Sequence, residues 1–418
     1  MRALVLHPDF PTRTARRLPE HALEEAVALA AALPGIVVAG AEVVRLSRPH
    51  PGHLFGTGRL KDLAERIARE HIGLVLVDGP VSPVQQRNLE REWGVKLLDR
   101  TGLILEIFGA RARTGEGALQ VELAALSYQR SRLVRAWTHL ERQRGGFGFV
   151  GGPGETQIEA DRRAIDDQIV RIRRRLARVV RTRALHRAAR ARVPFPVVAL
   201  VGYTNAGKST LFNRLTGAGV VAQDMLFATL DPTMRALDLP AGRRVILSDT
   251  VGFISDLPTE LVAAFRATLE EVLAADVIVH VRDISHPESA EQAQDVRAIL
   301  ASLGVENTVR QIEAWNKADR VAPAQRVLLD AQAAVRPDVV VLSATTGEGI
   351  GALLDALVLA LAGGRARQQL HLPFAEGNRR AWLHRAGVVT GENEVEGGWE
   401  LTVEWTERQA SEYHKLAG

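Results

Sequence analysis

The stretch GYTNAGKS at 202–209 constrains the fold of this chain more than any other part of its sequence. It follows an apolar run, VVALVG, of the kind found in buried parallel strands, and it leads into a helical pattern, KSTLFNRLTG. In that context, successive backbone N–H groups and the N-terminus of the helix form a cradle for phosphate groups. We expect Lys208 to reach the β- and γ-phosphates and the Ser209 hydroxyl to bind Mg²⁺. A chance Gly-rich turn is the alternative, which the flanking strand and helix disfavour.

A second motif, DTVGF at 249–253, ends another apolar run. In a nucleotide hydrolase, Asp249 would help to hold Mg²⁺ and Gly252 would sense the terminal phosphate. Many such enzymes place a Gln next, which orients the attacking water, but Phe253 has no hydrogen-bonding side chain. Either the catalyst has been lost, or a partner or an ion supplies it. Because the rest of the site is present, we expect the chain to hydrolyse the nucleotide slowly by itself. Faster hydrolysis should then depend on binding to a partner.

The tetrapeptide NKAD at 316–319 indicates guanine rather than adenine. It ends a predicted strand, where an open sheet places ligand contacts. The Asp319 carboxylate can accept from guanine N1–H and the 2-amino group, and the aliphatic stem of Lys317 can cover the base. A buried carboxylate without these donors would be costly, so adenine is rejected. The SAT stretch at 343–345 ends the following strand and can offer a backbone N–H to the guanine oxygen.

The segment LFATLDPTMR at 226–235 lies between the phosphate loop and Asp249. A GTPase needs a Thr there that completes the Mg²⁺ shell only while the γ-phosphate is present. On the residues alone, Thr229 and Thr233 are both candidates, and an ordinary loop Thr is the alternative for each.

Alternating strand-like and helix-like patterns predict an α/β protein with four parts. Residues 1–112 form an N-terminal α/β domain with a mostly parallel sheet, and 113–193 form a long helical hairpin with a Gly-rich tip. Residues 194–366 form a Ras-like, doubly wound GTPase domain with six strands. Residues 367–418 form a small α+β domain.

The predicted hairpin has a second half rich in arginine, with no acidic residue between 171 and 192. A solvated helix normally mixes both signs, so a single-sign stretch indicates phosphate contacts that position an RNA without reading its sequence. Glycines let the tip approach folded RNA, and Phe147 or Phe149 can stack on unpaired bases. A plain flexible tip is the alternative. A second phosphate loop is excluded because no Lys follows the glycines and a helix precedes them.

The composition excludes several classes of protein. The chain has 46% hydrophobic residues and no Cys, so neither a disulfide framework nor a thiolate metal site is possible. The longest uncharged stretch, 26–41, is Ala-rich and broken by Pro34-Gly35, which predicts no membrane span. The N-terminus lacks the pattern of a signal peptide. We therefore expect a cytoplasmic protein.

The order GYTNAGKS, ATLDPT, DTVGF, NKAD, SAT, preceded by GGFGFVGGPGETQIEADRR, resembles the HflX family of ribosome-associated GTPases, which belong to the translation-factor class. The resemblance covers nearly the whole chain. It implies binding to the large (50S) ribosomal subunit, hydrolysis of GTP stimulated there, and a role in splitting or rescuing stalled ribosomes. It also implies that Thr229 is the Mg²⁺-sensing residue and that Phe227 to Asp231 line the nucleotide. Asn205 matches a position that coordinates K⁺ in some relatives.

We expect the chain to be a monomer. The motifs and the resemblance together give the candidate catalytic, metal-binding, GTP-binding and RNA-binding residues. Catalytic roles fall to Lys208, Thr229 and Gly252, and Mg²⁺ ligation to Ser209, Thr229 and Asp249. The predicted GTP contacts are Gly202, Tyr203, Thr204, Asn205, Ala206, Gly207, Lys208, Ser209, Thr210, Phe227, Ala228, Thr229, Leu230, Asp231, Asp249, Thr250, Val251, Gly252, Asn316, Lys317, Ala318, Asp319, Ser343, Ala344 and Thr345. The predicted RNA contacts are Gly145, Gly146, Phe147, Gly148, Phe149, Arg171, Arg173, Arg174, Arg175 and Arg178.

Two other functions stay open on the sequence. The chain is alternatively a regulatory GTPase switch that recruits protein partners, or an RNA chaperone whose N-terminal domain uses ATP. The Arg-rich hairpin favours RNA over protein partners, and residues 1–110 contain no ATP motif.

Overall fold

The computed structural model describes most of the chain, with interruptions. The described residues are 1–11, 17–112, 114–143, 153–190, 195–218, 226–227, 233–255, 272–305, 309–362, 365–406, 409–410 and 413–414. They form two compact units. The first comprises the described parts of Met1–Arg178 together with Leu226, Phe227, Ile254 and Ser255. The second comprises the described parts of Val179–Ala222, Pro232–Phe253 and Ala267–Gly418. The predicted bounds of the four domains stay predictions.

The first unit contains a four-stranded sheet in the order β2-β1-β3-β4, with every neighbouring pair parallel. Parallel neighbours need helical crossovers, which the alternating pattern supplies. The elements in chain order are β1 Arg2–Asp9, α1 Pro19–Ala31, β2 Val37–Arg45, α2 Thr57–Arg69, β3 Leu74–Val77, α3 Pro83–Trp93, β4 Lys96–Asp99 and α4 Arg100–Arg111. The strand sequences are apolar because the strands lie in the core. Leu4, Leu6, Val75 and Val77 are almost fully buried. The predicted parallel α/β sheet is confirmed.

Two long helices follow, α5 Gly115–Gln143 and α6 Pro153–Arg190. They pack through an apolar seam in which α6 contributes Ile165, Ile169, Ile172 and Leu176. The spacing of four, three and four residues keeps one stripe on one side of the helix, as in a coiled coil. The Gly-rich tip, with the predicted contacts Gly145, Gly146, Phe147, Gly148 and Phe149, lies outside the described residues.

The second unit is built on a six-stranded sheet in the order β10-β9-β8-β5-β7-β6. Only β6 and β7 are antiparallel, as the predicted hairpin requires. The elements are β5 Val197–Gly202, α7 Lys208–Thr216, β6 Thr233–Asp238, β7 Arg244–Asp249, β8 Val277–Asp283, α8 Ser289–Ser302, β9 Arg310–Asn316, α9 Pro323–Ala334, β10 Val339–Val341 and α10 Ile350–Ala362. The carboxyl ends of the five parallel strands meet along one edge, where doubly wound sheets bind ligands.

A smaller antiparallel sheet ends the second unit, in the order β11-β13-β12. Its elements are β11 Arg365–Pro373, α11 Gly377–Arg385, β12 Val389–Val395 and β13 Gly398–Thr406. Leu372, Leu383, Leu401, Val403 and Trp405 form its core, each at most 2% exposed. The expected α+β appendage is present. Among the described residues of the chain, no helix is long and apolar enough to cross a membrane.

Candidate nucleotide-binding site

The phosphate loop connects β5 to α7 at the carboxyl edge of the six-stranded sheet. Two of its glycines are sterically required. A Cβ on Gly202 would lie 2.2 Å from the Val281 carbonyl oxygen, and one on Gly207 would lie 2.3 Å from Asn316 Nδ2. Gly207 also has φ +93°, a conformation that L side chains rarely adopt. Asn205 has φ 59°, which Asn tolerates better than most residues, and its side chain is exposed.

Lys208 is the first residue of α7 and is 6% exposed. Its ammonium donates to the carbonyl oxygens of Tyr203 at 2.9 Å and Gly202 at 3.2 Å. Burial lowers the pKa of Lys208 to about 8, with Asp249 opposing that change and Lys317 adding to it. A buried ammonium surrounded by backbone carbonyls of the phosphate loop lies where phosphate oxygens would be its natural acceptors.

The Ser209 hydroxyl donates to Asp249 Oδ2 at 2.7 Å. Asp249 ends β7 and is fully buried. A hydroxyl and a carboxylate beside a phosphate cradle form the hard, oxygen-only donor set that Mg²⁺ prefers, so these two residues fit the ion. The third predicted ligand, Thr229, lies outside the described residues, as do Ala228, Leu230 and Asp231.

Gly252 and Phe253 lie against the phosphate loop. A Cβ on Gly252 would come 2.8 Å from Thr204 Cα and 3.1 Å from Lys208 Nζ, so only glycine fits. Phe253 N–H donates to the Gly202 carbonyl at 3.1 Å, and the Phe253 carbonyl accepts from Thr204 N–H at 2.6 Å. The ring of Phe253 is 2% exposed. The side chain at position 253 is therefore a buried apolar ring, which cannot form a hydrogen bond with a water molecule.

Asn316 joins three parts of the site. Its Nδ2 donates to the Ala206 carbonyl in the phosphate loop at 2.8 Å, and its Oδ1 accepts from Ala344 N–H at 2.9 Å. Asn316 is 2% exposed, so both hydrogen bonds are formed away from water. A buried amide with both ends satisfied fixes the distance between the phosphate loop and the 343–345 turn.

The other residues predicted to bind the base flank Asn316. Lys317 has φ 63° and its ammonium lies 2.7 Å from Asp283 Oδ2, which holds its stem across the strand ends. Asp319 is exposed, in a short helical turn after β9. Ser343 is fully buried, and its hydroxyl accepts from Thr346 N–H at 3.1 Å.

Phe227, one of the predicted nucleotide contacts, is buried within the first unit. Its ring is 2% exposed and packs edge-on against Phe108 of α4, with ring centroids 4.6 Å apart. The Phe227 carbonyl accepts from Arg111 at 3.2 Å. The place of Phe227 in the nucleotide set stays a prediction.

The first unit contains a buried ionic network that no sequence motif predicts. Arg100 follows β4 and donates to Asp78 at 2.6 Å, to Glu25, and to the Ser255 carbonyl at 3.0 Å. His7 pairs with the other oxygen of Asp78 at 2.8 Å. Burial would raise the pKa of Asp78, but Arg100 and His7 hold it below its ordinary value. The only signal in the sequence was the position of Asp78 and Arg100 at strand ends.

The arginines predicted to contact RNA are on the outer surface of α6. Arg171, Arg173, Arg174, Arg175 and Arg178 are all exposed, while Ile169 and Ile172 between and beside them are 4% exposed. Nearer its start, α6 carries mixed charges in ion pairs, such as Arg130 of α5 with Asp166 at 2.7 Å. The single-sign surface therefore begins where the acidic residues end.

Models of known families match almost the entire chain. Their descriptions are GTP-binding GTPase N-terminal at 20–109, GTP-binding GTPase Middle Region at 111–190, 50S ribosome-binding GTPase at 197–317 and HflX C-terminal domain at 328–418.

Similar proteins cover most of the chain. GTPase HflX of Magnetococcus marinus is 50% identical over 403 residues, 96% of this chain and 92% of that protein. GTPase HflX of Escherichia coli K12 is 45% identical over 350 residues, 84% and 82% of the two chains. A solved structure, the SsGBP and GDP complex, is 24% identical with a TM-score of 0.50, covering 87% of this chain and 99% of that one, and it shows the fold alone. These matches show that the chain belongs to the HflX family of GTP-hydrolysing enzymes.

Proposed function

We propose that GTP binds along the carboxyl edge of the six-stranded sheet, with each motif contacting one part of the nucleotide. The backbone of 203–209 and Lys208 hold the phosphates, Gly252 senses the γ-phosphate, and Asp319 reads guanine. Ser209, Asp249 and Thr229 hold Mg²⁺. When bound, that ion neutralises charge that develops on the phosphate oxygens during transfer.

The chain's own contribution to hydrolysis is positioning and electrostatic stabilisation. Lys208 presents a buried ammonium to the bridging region of the phosphates, where a low dielectric strengthens the attraction. No group at position 253 orients the water, because the Phe253 ring is buried and apolar. The intrinsic rate is therefore low, and the missing group comes from a partner.

The partner we propose is the large ribosomal subunit, with splitting or rescue of stalled ribosomes as the outcome. The single observation that carries this is the exposed arginine surface of α6, from Arg171 to Arg178, which has no acidic neighbours in the sequence through residue 192. Such a surface contacts nucleic-acid backbone and gives salt-dependent binding. The match to a family model described as a 50S ribosome-binding GTPase supports the same partner. The protein would act as a cytoplasmic monomer.

Sedimentation tests this proposal. Purified large subunits are spun with the protein and a non-hydrolysable GTP analogue, GDP or no nucleotide, and intact ribosomes are tested for the release of free subunits. We expect sedimentation with the analogue to exceed that with GDP. Equal sedimentation with GDP would contradict nucleotide-gated binding. No binding under any condition would favour a regulatory switch with protein partners.

Potassium is an alternative candidate source of the missing group. Asn205 stands at the loop position that the family resemblance connects with K⁺, although its φ of 59° also explains Asn by backbone geometry. Rates measured in KCl and NaCl at equal ionic strength decide between these explanations. A faster rate in KCl supports the ion, and equal rates leave Asn205 with a backbone role.

A further inference from the structure

Arg214 lies in the last turn of α7, the helix that begins at Lys208. Its side chain reaches the turn that follows β10. Arg214 Nε donates to the Ala344 carbonyl at 3.0 Å, and the Nη2 of the same guanidinium donates to the Thr345 carbonyl. Two successive peptide carbonyls are thus held by one rigid, planar group.

The turn that Arg214 holds is tightly constrained. Gly347 N–H donates to the Ser343 carbonyl at 2.8 Å, and Thr346 N–H donates to the Ser343 hydroxyl at 3.1 Å. Gly347 has φ +93°, and a Cβ there would lie 3.2 Å from Arg214 Nη1. The guanidinium therefore lies directly against the turn, and a side chain at position 347 would crowd it.

The opposite side of the turn is fixed by Asn316. Ala344 N–H donates to Asn316 Oδ1 at 2.9 Å. Side chains from other elements therefore orient this N–H as well as the two carbonyls that Arg214 holds. In a planar trans peptide, the N–H points away from the carbonyl of the same unit. The Thr345 N–H is consequently turned away from Arg214, because the Ala344 carbonyl of that peptide faces it.

We propose that Arg214 is a positioning residue for recognition of the guanine 6-oxo group. By fixing the plane of the peptide between Ala344 and Thr345, it aims the Thr345 N–H at the oxygen that adenine lacks. This inference rests on the proposed function, because it assumes that the 343–345 turn lies beside the base. Arg214 itself touches no nucleotide, and its effect is carried by the turn.

Three nucleotides separate this role from a general effect on folding. GDP carries the 6-oxo and 2-amino groups, IDP carries the 6-oxo group but no 2-amino group, and 2-aminopurine riboside diphosphate carries the 2-amino group but no 6-oxo group. Affinities of all three are measured for the wild-type protein, Arg214→Ala and Arg214→Lys. The matched control is Arg235→Ala, since Arg235 is an exposed arginine of the same unit that donates to its neighbour Met234 at 3.3 Å.

We expect Arg214→Ala to weaken the binding of GDP and IDP by about tenfold each, the effect of one misaligned hydrogen bond. Binding of the 2-aminopurine nucleotide should change by less than about twofold. Arg214→Lys should lie between, because an ammonium keeps the charge but cannot hold two carbonyls in a fixed plane. If Arg214→Ala folds poorly, the three nucleotides are compared with Arg214→Lys instead, where GDP and IDP should lose more affinity than the 2-aminopurine nucleotide.

Two outcomes would overturn the inference. One is an equal loss of affinity for all three nucleotides, which would make Arg214 a structural residue of α7. The other is no loss for any of them. Failure of the proposed function looks different, because the wild-type protein would then bind GDP and the 2-aminopurine nucleotide equally well.

Discussion

The carbonyl of Phe253 accepts a hydrogen bond from Thr204 N–H at 2.6 Å, which pairs the backbone after the Asp-x-x-Gly motif with the phosphate loop. A return bond from Phe253 N–H to Gly202 makes this a short parallel bridge. The aromatic ring is then directed into the core, where it is 2% exposed. Phe253 thus connects two parts of the nucleotide site through its backbone while contributing no catalytic group.

Replacing Lys208 by Ala tests the phosphate site. Hydrogen bonds to charged groups contribute about 1.5–3 kcal/mol each, so GTP affinity should fall about 10- to 100-fold and turnover should fall with it. Lys61→Ala is the control, since Lys61 is exposed on α2. Nucleotide titration and single-turnover hydrolysis give the two readouts. Wild-type affinity in Lys208→Ala would show that the phosphate site is misassigned.

Replacing Asp319 by Asn tests guanine recognition. The amide cannot accept from both N1–H and the 2-amino group as the carboxylate does, so affinity for GDP should fall by about 100-fold. The preference for GDP over ADP should shrink by the same factor, because ADP makes neither bond. Asp330→Asn, an exposed carboxylate on α9, is the control. An unaltered preference for GDP over ADP would refute this role for Asp319.

The arginine surface of α6 predicts a salt dependence. Replacing Arg173, Arg174 and Arg175 by Glu should weaken binding to large subunits, and the slope of log affinity against log salt should flatten by about 2 to 3. The triple replacement of Arg235, Arg243 and Arg367, which are exposed in the second unit, makes the same change in net charge. If both triple variants keep the wild-type slope, the α6 arginines form a solvated surface.

His280 of β8 predicts a pH dependence of stability. It is 2% exposed, and burial lowers its pKa from 6.5 to about 3, with Glu313 opposing this and Arg282 adding to it. The folded state binds fewer protons than the unfolded state between these values. The free energy of unfolding should therefore fall by about 1.4 kcal/mol per pH unit as the pH drops below 6.5.

Urea unfolding at pH 7 and pH 5 measures this dependence. His280→Asn should remove the part of it that lies above pH 5, where few carboxylates titrate, while His371→Asn, at an exposed position of β11, should leave it in place. An equal pH dependence in the wild type and His280→Asn would show that this histidine is not the titrating group.

The local patterns of the sequence predicted the motifs well because each depends on neighbouring residues. The order of strand, loop and helix around GYTNAGKS and the hairpin before DTVGF both follow from periodicity and Gly positions. The contacts that connect those motifs do not. Arg214 and Ala344 are 130 positions apart, and Asn316 and Ala206 are 110 apart, so only packing brings them together.

Packing between distant segments also accounts for two contacts in the first unit that were not predicted. Asp78 and Arg100 come from successive strand ends 22 positions apart, and no motif identifies their ion pair. Phe227 packs against Phe108, which lies in a distant segment, and neither local sequence predicts this contact. In the second unit, β11 begins at Arg365, three residues after α10 ends at Ala362, and the predicted division at 366 stays a prediction.

The rate of GTP hydrolysis with and without purified large ribosomal subunits tests the central claim most directly. Because Phe253 leaves the attacking water without a local partner, the protein alone should turn over slowly. Large subunits should raise the rate by at least about tenfold, a modest part of what catalytic groups supplied in trans achieve. A rate that is already high without subunits, or that stays the same when they are added, would contradict the account.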